Sequence, residues 1–120
     1  MSQYRQYIGE SGERMAEEFL VSRKYRIIDR HWHGRYGEID LVACDPASKC
    51  LVFIEVKTRT SEVYGRIHET IDRRKLDRLA LAIDRYVSEH RYRGPYRLDA
   101  VFVRIGQSHD IQHLPNVSID

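Results

Sequence analysis

The sequence predicts a mixed α/β layer with the element order α, β, β, β, α, β and a short closing β. Three observations carry this reading: two segments space apolar residues as helices do, others alternate or run apolar as strands do, and three strands fall in succession between the helices. A length of 120 residues, 32% charged and 42% hydrophobic, is that of one globular domain with one core, spanning 1–120.

Met15, Ala16, Phe19 and Leu20 recur at helical spacing. With Ser11 as a cap and Gly9 and Gly12 at the entry, the first helix is expected over about 11–23. Tyr25, Ile27 and Asp29 alternate with Arg26, Ile28 and Arg30 in a strand that ends near His33, and Gly34-Arg35-Tyr36-Gly37 turns into a second strand, Glu38–Cys44. Asp45-Pro46-Ala47-Ser48-Lys49 has hairpin chemistry and leads to a third strand from Leu51. A polar loop, Thr60 to Gly65, precedes a long helix capped by Asp72, with Leu76, Leu79, Ala80, Ile83 and Val87 as its apolar stripe and Gly94-Pro95 as its stop. Leu98–Ile105 reads as a fourth strand, and Ile111–Leu114 as a short edge strand.

The second and third strands carry charge where a core strand should be apolar. Glu55 and Lys57 share one face of the third strand, and Val52, Ile54 and Val56 the other. Glu38 and Asp40 share a face of the second, opposite Ile39, Leu41 and Ala43. An antiparallel register in which partner numbers sum to 95 sets Asp40 against Glu55, Glu38 against Lys57, Val42 against Phe53 and Cys44 against Leu51. Two carboxylates with Cβ atoms roughly 5 Å apart repel unless a cation lies between them or one stays protonated. A divalent metal is the natural answer. A cross-strand Cys44–Cys50 disulfide needs an even register, so it and the shared carboxylate site exclude one another, barring a bulge. Two cysteines, no apolar signal segment and no run as long as a membrane span favour a reduced cytoplasmic setting without a membrane partner.

Net charge is only +2, but residues 72–97 carry eight Lys or Arg against four Asp or Glu, whereas residues 1–22 carry two Arg against four Glu. One face is expected to be basic and to favour nucleic acid. Each feature has a plainer reading. Glu38, Glu55 and Lys57 could instead form a surface cross-strand ion-pair cluster, and Glu13 could be one of several helix acids favoured by the dipole. His31 and His33 share a strand face but lack the further spaced ligands of a zinc site. Trp32 and Tyr25, Tyr36 and Tyr64 suit either base stacking or ordinary packing.

Taken together, Gly12-Glu13 with Ala16, Gly37-Glu38-Ile39-Asp40-Leu41, Val52-Phe53-Ile54-Glu55-Val56-Lys57 with Arg59, Gly65, Lys75 and Arg97-Leu98-Asp99 resemble the YraN family of predicted endonucleases, similar to archaeal Holliday junction resolvases within the PD-(D/E)XK superfamily. The resemblance spans most of the chain. It implies a restriction-endonuclease-like mixed sheet flanked by helices. By motif position it makes Asp40, Glu55 and Lys57 the catalytic core, with Glu13 completing the acidic cluster. Arg30-His31-Trp32 stands where the family often has Asn-Xaa-Arg, a departure expected to lie outside the site.

The expected function is therefore metal-dependent hydrolysis of phosphodiester bonds in DNA, rather than RNA, on branched or single-stranded substrates in repair or recombination. Mg²⁺ or Mn²⁺ would be held by Asp40, Glu55, the Val56 carbonyl and Glu13. Lys57 would orient water or stabilise phosphorus, and Glu38 would serve as an accessory ligand or as the partner of Lys57. Lys75, Arg59, Arg73, Arg74 and Arg78 would contact nucleic acid. Symmetric junctions need two sites, which makes a homodimer attractive. Two alternatives stand beside this: a non-catalytic nucleic-acid-binding module that keeps the nuclease fold, and a structural subunit that dimerises through its apolar strand face.

Overall fold

The computed structural model describes residues 2–60, 72–106 and 109–118. Its elements run α1 (Ser2–Ser22), β1 (Arg26–Gly34), β2 (Gly37–Cys44), β3 (Leu51–Thr60), α2 (Arg73–Glu89), β4 (Tyr96–Ile105) and β5 (Asp110–Leu114), the order read from the sequence. The 61–65 part of the expected loop, Tyr64 and Gly65 among it, lies outside the described residues.

The five strands form one sheet in the order β1-β2-β3-β4-β5. Of these strands only β3 and β4 pair in parallel, and α2 lies on the crossover between them, because parallel neighbours cannot be joined by a tight turn. Each sheet face is covered by one helix. Ala16 and Leu20 of α1 pack on Leu41, Ala43, Val52, Ile54, Val56, Val101 and Val103. On the other face Leu79, Ala82, Ile83 and Tyr86 of α2 pack on Ile39, Val42, Leu51, Phe53 and Leu98. The α2 stripe is thus rotated from the expected one: Ala82 and Tyr86 take core places, and Ala80 stays half-buried outside the clusters.

Helix α1 begins nine residues earlier than the glycines suggest, at Ser2, so Ser11 is a mid-helix residue and not a cap. Gly9 and Gly12 cost the helix about 1 kcal/mol each. Burying Ala16 and Leu20, with Met15 and Phe19 half-buried beside them, outweighs that, and a nucleated helix extends without forming a second nucleus. Gly12 has a positive reason to be glycine: a Cβ there would lie 2.0 Å from the Thr58 hydroxyl oxygen and 2.8 Å from Thr58 Cβ. The helix crosses β3 at this contact.

Asp72 caps α2, its Oδ1 accepting from the Lys75 amide at 3.0 Å. Asp45 closes the β2–β3 turn by accepting from the Ala47 and Ser48 amides at 2.8 and 3.3 Å. Cys44 and Cys50 are free thiols. A bulge between Ile27 and Asp29 breaks the expected alternation of β1.

Candidate functional site

The β2–β3 ladder runs Cys44↔Leu51, Val42↔Phe53 and Leu41↔Ile54, the expected register, and ends one pair short of Asp40 and Glu55. The two carboxylates are therefore not ladder partners, nor are Glu38 and Lys57. Where the next rung would stand, Asp40 Oδ2 accepts a hydrogen bond from the Val56 amide at 2.8 Å. The side chain substitutes for a backbone partner, and the strands part around it. The N–H and C=O of one strand residue lie on the same edge, so the Val56 carbonyl faces the same gap.

The same place disturbs β2. Leu41 and Ala43 pack under α1 as expected, whereas Ile39 packs with Trp32 on the α2 side, so the alternation breaks at Asp40. Across the strand pair, between Arg30↔Leu41 and Trp32↔Ile39, His31 takes a φ of 50°. Asp40 is thereby felt from both sides of the sheet: by Glu13 of α1 and by Lys75 of α2.

Glu55 is only 4% exposed. Its Oε2 lies 3.4 Å from Lys75 Nζ, while its Oε1 is buried without a hydrogen-bond partner. Burial first, and the Asp40 charge second, push its carboxyl up to about 7, although Lys75 and Lys57 pull the other way. Burial also raises Asp40, against the opposing effect of the Val56 amide. Glu13 is raised by burial and by Asp40 and Glu38, while His31 lowers it. Glu55 does not belong to a surface ion-pair cluster: it is buried, and its nearest cation is Lys75 of α2, with Lys57 acting on it as well.

Glu13, Glu38, Asp40, Glu55, Lys57 and Lys75 thus form one electrostatically linked group. Lys57 is half-buried and acts on Glu55 and on the α2 cap Asp72. Arg78 lines a neighbouring groove with Lys75, Glu38, His33, Arg35 and Tyr36. Arg73 pairs with Asp77 at 3.2 Å, and Arg59 donates to the Thr58 carbonyl at 2.9 Å. Arg74 is exposed in the first turn of α2.

His31 is the residue that reading by spacing missed. Its Nε2 stands 3.0 Å from Glu13 Oε1, so the Arg30-His31-Trp32 departure touches the acidic group and does not lie outside it. His33 lines the α2-side groove instead, so the two histidines do not converge. Arg30 clamps Glu17 at 2.8 and 2.6 Å, tying β1 to α1. Trp32 packs edge-on to Tyr86 at 5.5 Å, and Tyr25 bonds Arg97, which places both in packing rather than on an open surface.

Among the described residues no three His, Cys, Asp or Glu side chains converge as a ready-made metal cage. Asp40 and Glu55 do act on each other, Glu55 with an unpartnered buried oxygen, and the Val56 backbone bonds Asp40 beside them. That is a donor set suited to Mg²⁺, which keeps several of its waters and takes one or two carboxylates.

Fold and site together define a mixed α/β protein with a buried acidic group and two lysines where its central strands separate. The chain belongs to the uncharacterised protein family UPF0102, whose model matches residues 12–103. It is 39% identical over 100 residues to a UPF0102 protein of Mycobacterium tuberculosis, covering 82% of this chain and 78% of the relative. A UPF0102 protein of Mycobacterium marinum is 38% identical over 116 residues, covering 94% and 95%. Among the described residues, no helix is long and apolar enough to cross a membrane.

Proposed function

We propose that this protein is a divalent-metal-dependent endonuclease of the PD-(D/E)XK type, resembling the YraN family and the archaeal junction resolvases, that cuts branched or single-stranded DNA in repair or recombination. One observation carries the reading: a buried Glu55 carboxylate with an unpartnered oxygen, raised to about 7 beside Asp40. Structural carboxylates are rarely left in that condition, and perturbed acids gather at functional sites.

Asp40 and Glu55 would hold Mg²⁺ or Mn²⁺, with the Val56 carbonyl and Glu13 completing the donors. When bound, the ion supplies a nucleophilic water and neutralises charge growing on the phosphate. Lys57 orients the attacking water and offsets negative charge at phosphorus. Lys75 shields Glu55 and would meet the phosphate next to the cut. Arg73, Arg74 and Arg78 of α2 and Arg59 of β3 attract the strand's phosphates, so affinity should fall steeply with salt.

Cleavage of branched and single-stranded DNA should require Mg²⁺ or Mn²⁺ and vanish in Asp40→Ala and Glu55→Ala. Calorimetric titration of Mn²⁺ should show binding to wild type and its loss in Asp40→Asn. Equal metal-dependent cleavage by wild type and both alanine variants would overturn the proposal. The Lys75–Glu55 pair favours a second reading, because a lysine partners the acid at 3.4 Å. In that reading the chain is a nucleic-acid-binding module without turnover, binding equally well in chelator.

A further inference from the structure

A groove of about 560 Å³ opens between the first turns of α1 and the far end of β3, lined by Tyr4, Arg5, Ile8, Gly9, Thr58, Arg59 and Thr60. Of its lining, the nuclease reading uses only Arg59. Its helical wall precedes the segment that matches the family model. We infer that this groove seats an unpaired nucleotide of the substrate strand, with the base against Tyr4 and the phosphate against Arg5; the inference rests on the nuclease reading and names the substrate form that reading leaves open.

Position comes first. Arg5, Gly9 and Glu13 stand four residues apart, so they form one stripe along α1. At 1.5 Å rise per residue, Gly9 is about 6 Å and Arg5 about 12 Å from Glu13 along the axis. On the opposite wall Thr58, Arg59 and Thr60 directly follow Lys57. The Gly12–Thr58 contact closes α1 onto β3 beside the acidic group. A strand whose scissile phosphate lies at Glu13 therefore reaches the Gly9 end of the groove, about 6 Å away, with its neighbouring nucleotide.

Chemistry selects the occupant. Tyr4 is 62% exposed with its ring open to a ligand, and Ile8 lies one turn further along the same wall. An aromatic face beside a guanidinium matches a base joined to its phosphate. A paired base has both faces covered by its stack and reaches such a platform only by being unstacked, so the groove favours single-stranded arms over continuous duplex. Gly9 leaves the floor open: a Cβ there meets nothing within 4 Å.

The test measures anisotropy of a labelled oligothymidylate and of a blunt duplex of equal length, at one fixed salt concentration, with Ca²⁺ in place of Mg²⁺. Wild type should prefer the single strand. Tyr4→Ala should lower the single-strand-to-duplex affinity ratio roughly tenfold, Tyr4→Phe should restore it, and Gly9→Leu should lower it by filling the space. Exposure of Tyr4 and the open volume at Gly9 keep both substitutions compatible with the fold, which thermal melting checks. An unchanged ratio in Tyr4→Ala and Gly9→Leu, or an equal loss for both DNA forms, overturns the groove assignment while metal-dependent cleavage still supports the nuclease. Wild type that neither binds nor cuts any nucleic acid overturns both.

Discussion

Lys75 Nζ lies 3.4 Å from Glu55 Oε2, which joins the first turn of α2 to the middle of β3. Asp40 acts on the same carboxylate with the opposite sign. Glu55 thus stands between two cations, Lys75 and Lys57, that favour its charge, and burial plus the Asp40 anion that oppose it. The balance leaves it titrating near neutrality.

That balance makes stability depend on pH in a stated direction. Glu55 titrates at about 7 in the fold, against an ordinary value of 4.5, so the folded chain holds the extra proton between those limits. Stability should fall as pH rises from about 4.5 to 7, by up to about 3 kcal/mol, and level off above. Urea titrations across this range should show the slope in wild type and not in Glu55→Gln, which should be the more stable protein at pH 8.

Metal binding should oppose the same proton. Mg²⁺ affinity is expected to climb with pH up to about 7 and then level, with proton release on binding only below that point. Calorimetry in two buffers of different ionisation enthalpy reads the proton count. Release that persists unchanged at pH 8.5 would contradict the assignment to Glu55.

Removing the cation should raise the acid further. Lys75→Met takes away an influence that lowers the Glu55 value, so the midpoint of the pH–stability curve should move upward. Glu55→Gln combined with Lys75→Met should lose that response. A midpoint that stays in place would mean Lys75 faces solvent rather than Glu55.

Gly12→Ala should destabilise the protein by roughly 1–3 kcal/mol, although alanine is the better helix former. The added methyl would sit 2.0 Å from Thr58 Oγ1. Thr58→Ala removes the nearer contacts and leaves Thr58 Cβ's position at 2.8 Å, so the double variant should recover only part of the loss. Thermal melts of the four proteins in this cycle decide it.

Asp99 is fully buried yet fully bonded: Arg97 at 2.9 and 3.1 Å, His113 Nε2 at 2.7 Å and the Asn116 amide at 2.9 Å. Burial alone would raise its carboxyl, but these bonds outweigh it and hold the group below its ordinary value. Arg97 also grips Asp45 at 2.8 Å, which brings Asp45 down to about 2. Arg97-Leu98-Asp99 therefore reads as a brace that ties β4 to the β2–β3 turn and to the chain after β5. Asp99→Asn should cost about 3–5 kcal/mol in urea unfolding and leave Mn²⁺ affinity of the surviving fold unchanged. The stability Asp99 contributes is present above the unfolded carboxylate range and is lost as pH falls below it.

Local pattern alone determined the order of the seven elements, the odd register that separates the cysteines and the Asp72 cap. Period and turn chemistry are written in neighbouring residues, and one face-sharing rule converts them into geometry. What the chain order could not show was decided by residues far apart in sequence. Gly9 and Gly12 looked like a helix entry because glycine is locally unfavourable in helices, while the approach of Thr58, 46 positions later than Gly12, makes glycine the fitting residue there. His31 reached the acidic group through a left-handed backbone that alternation does not foresee. Burial of Glu55 under α2, and the strand ladder that stops to admit Asp40, arise only when helix and sheet close on each other, because desolvation is a property of the packed whole.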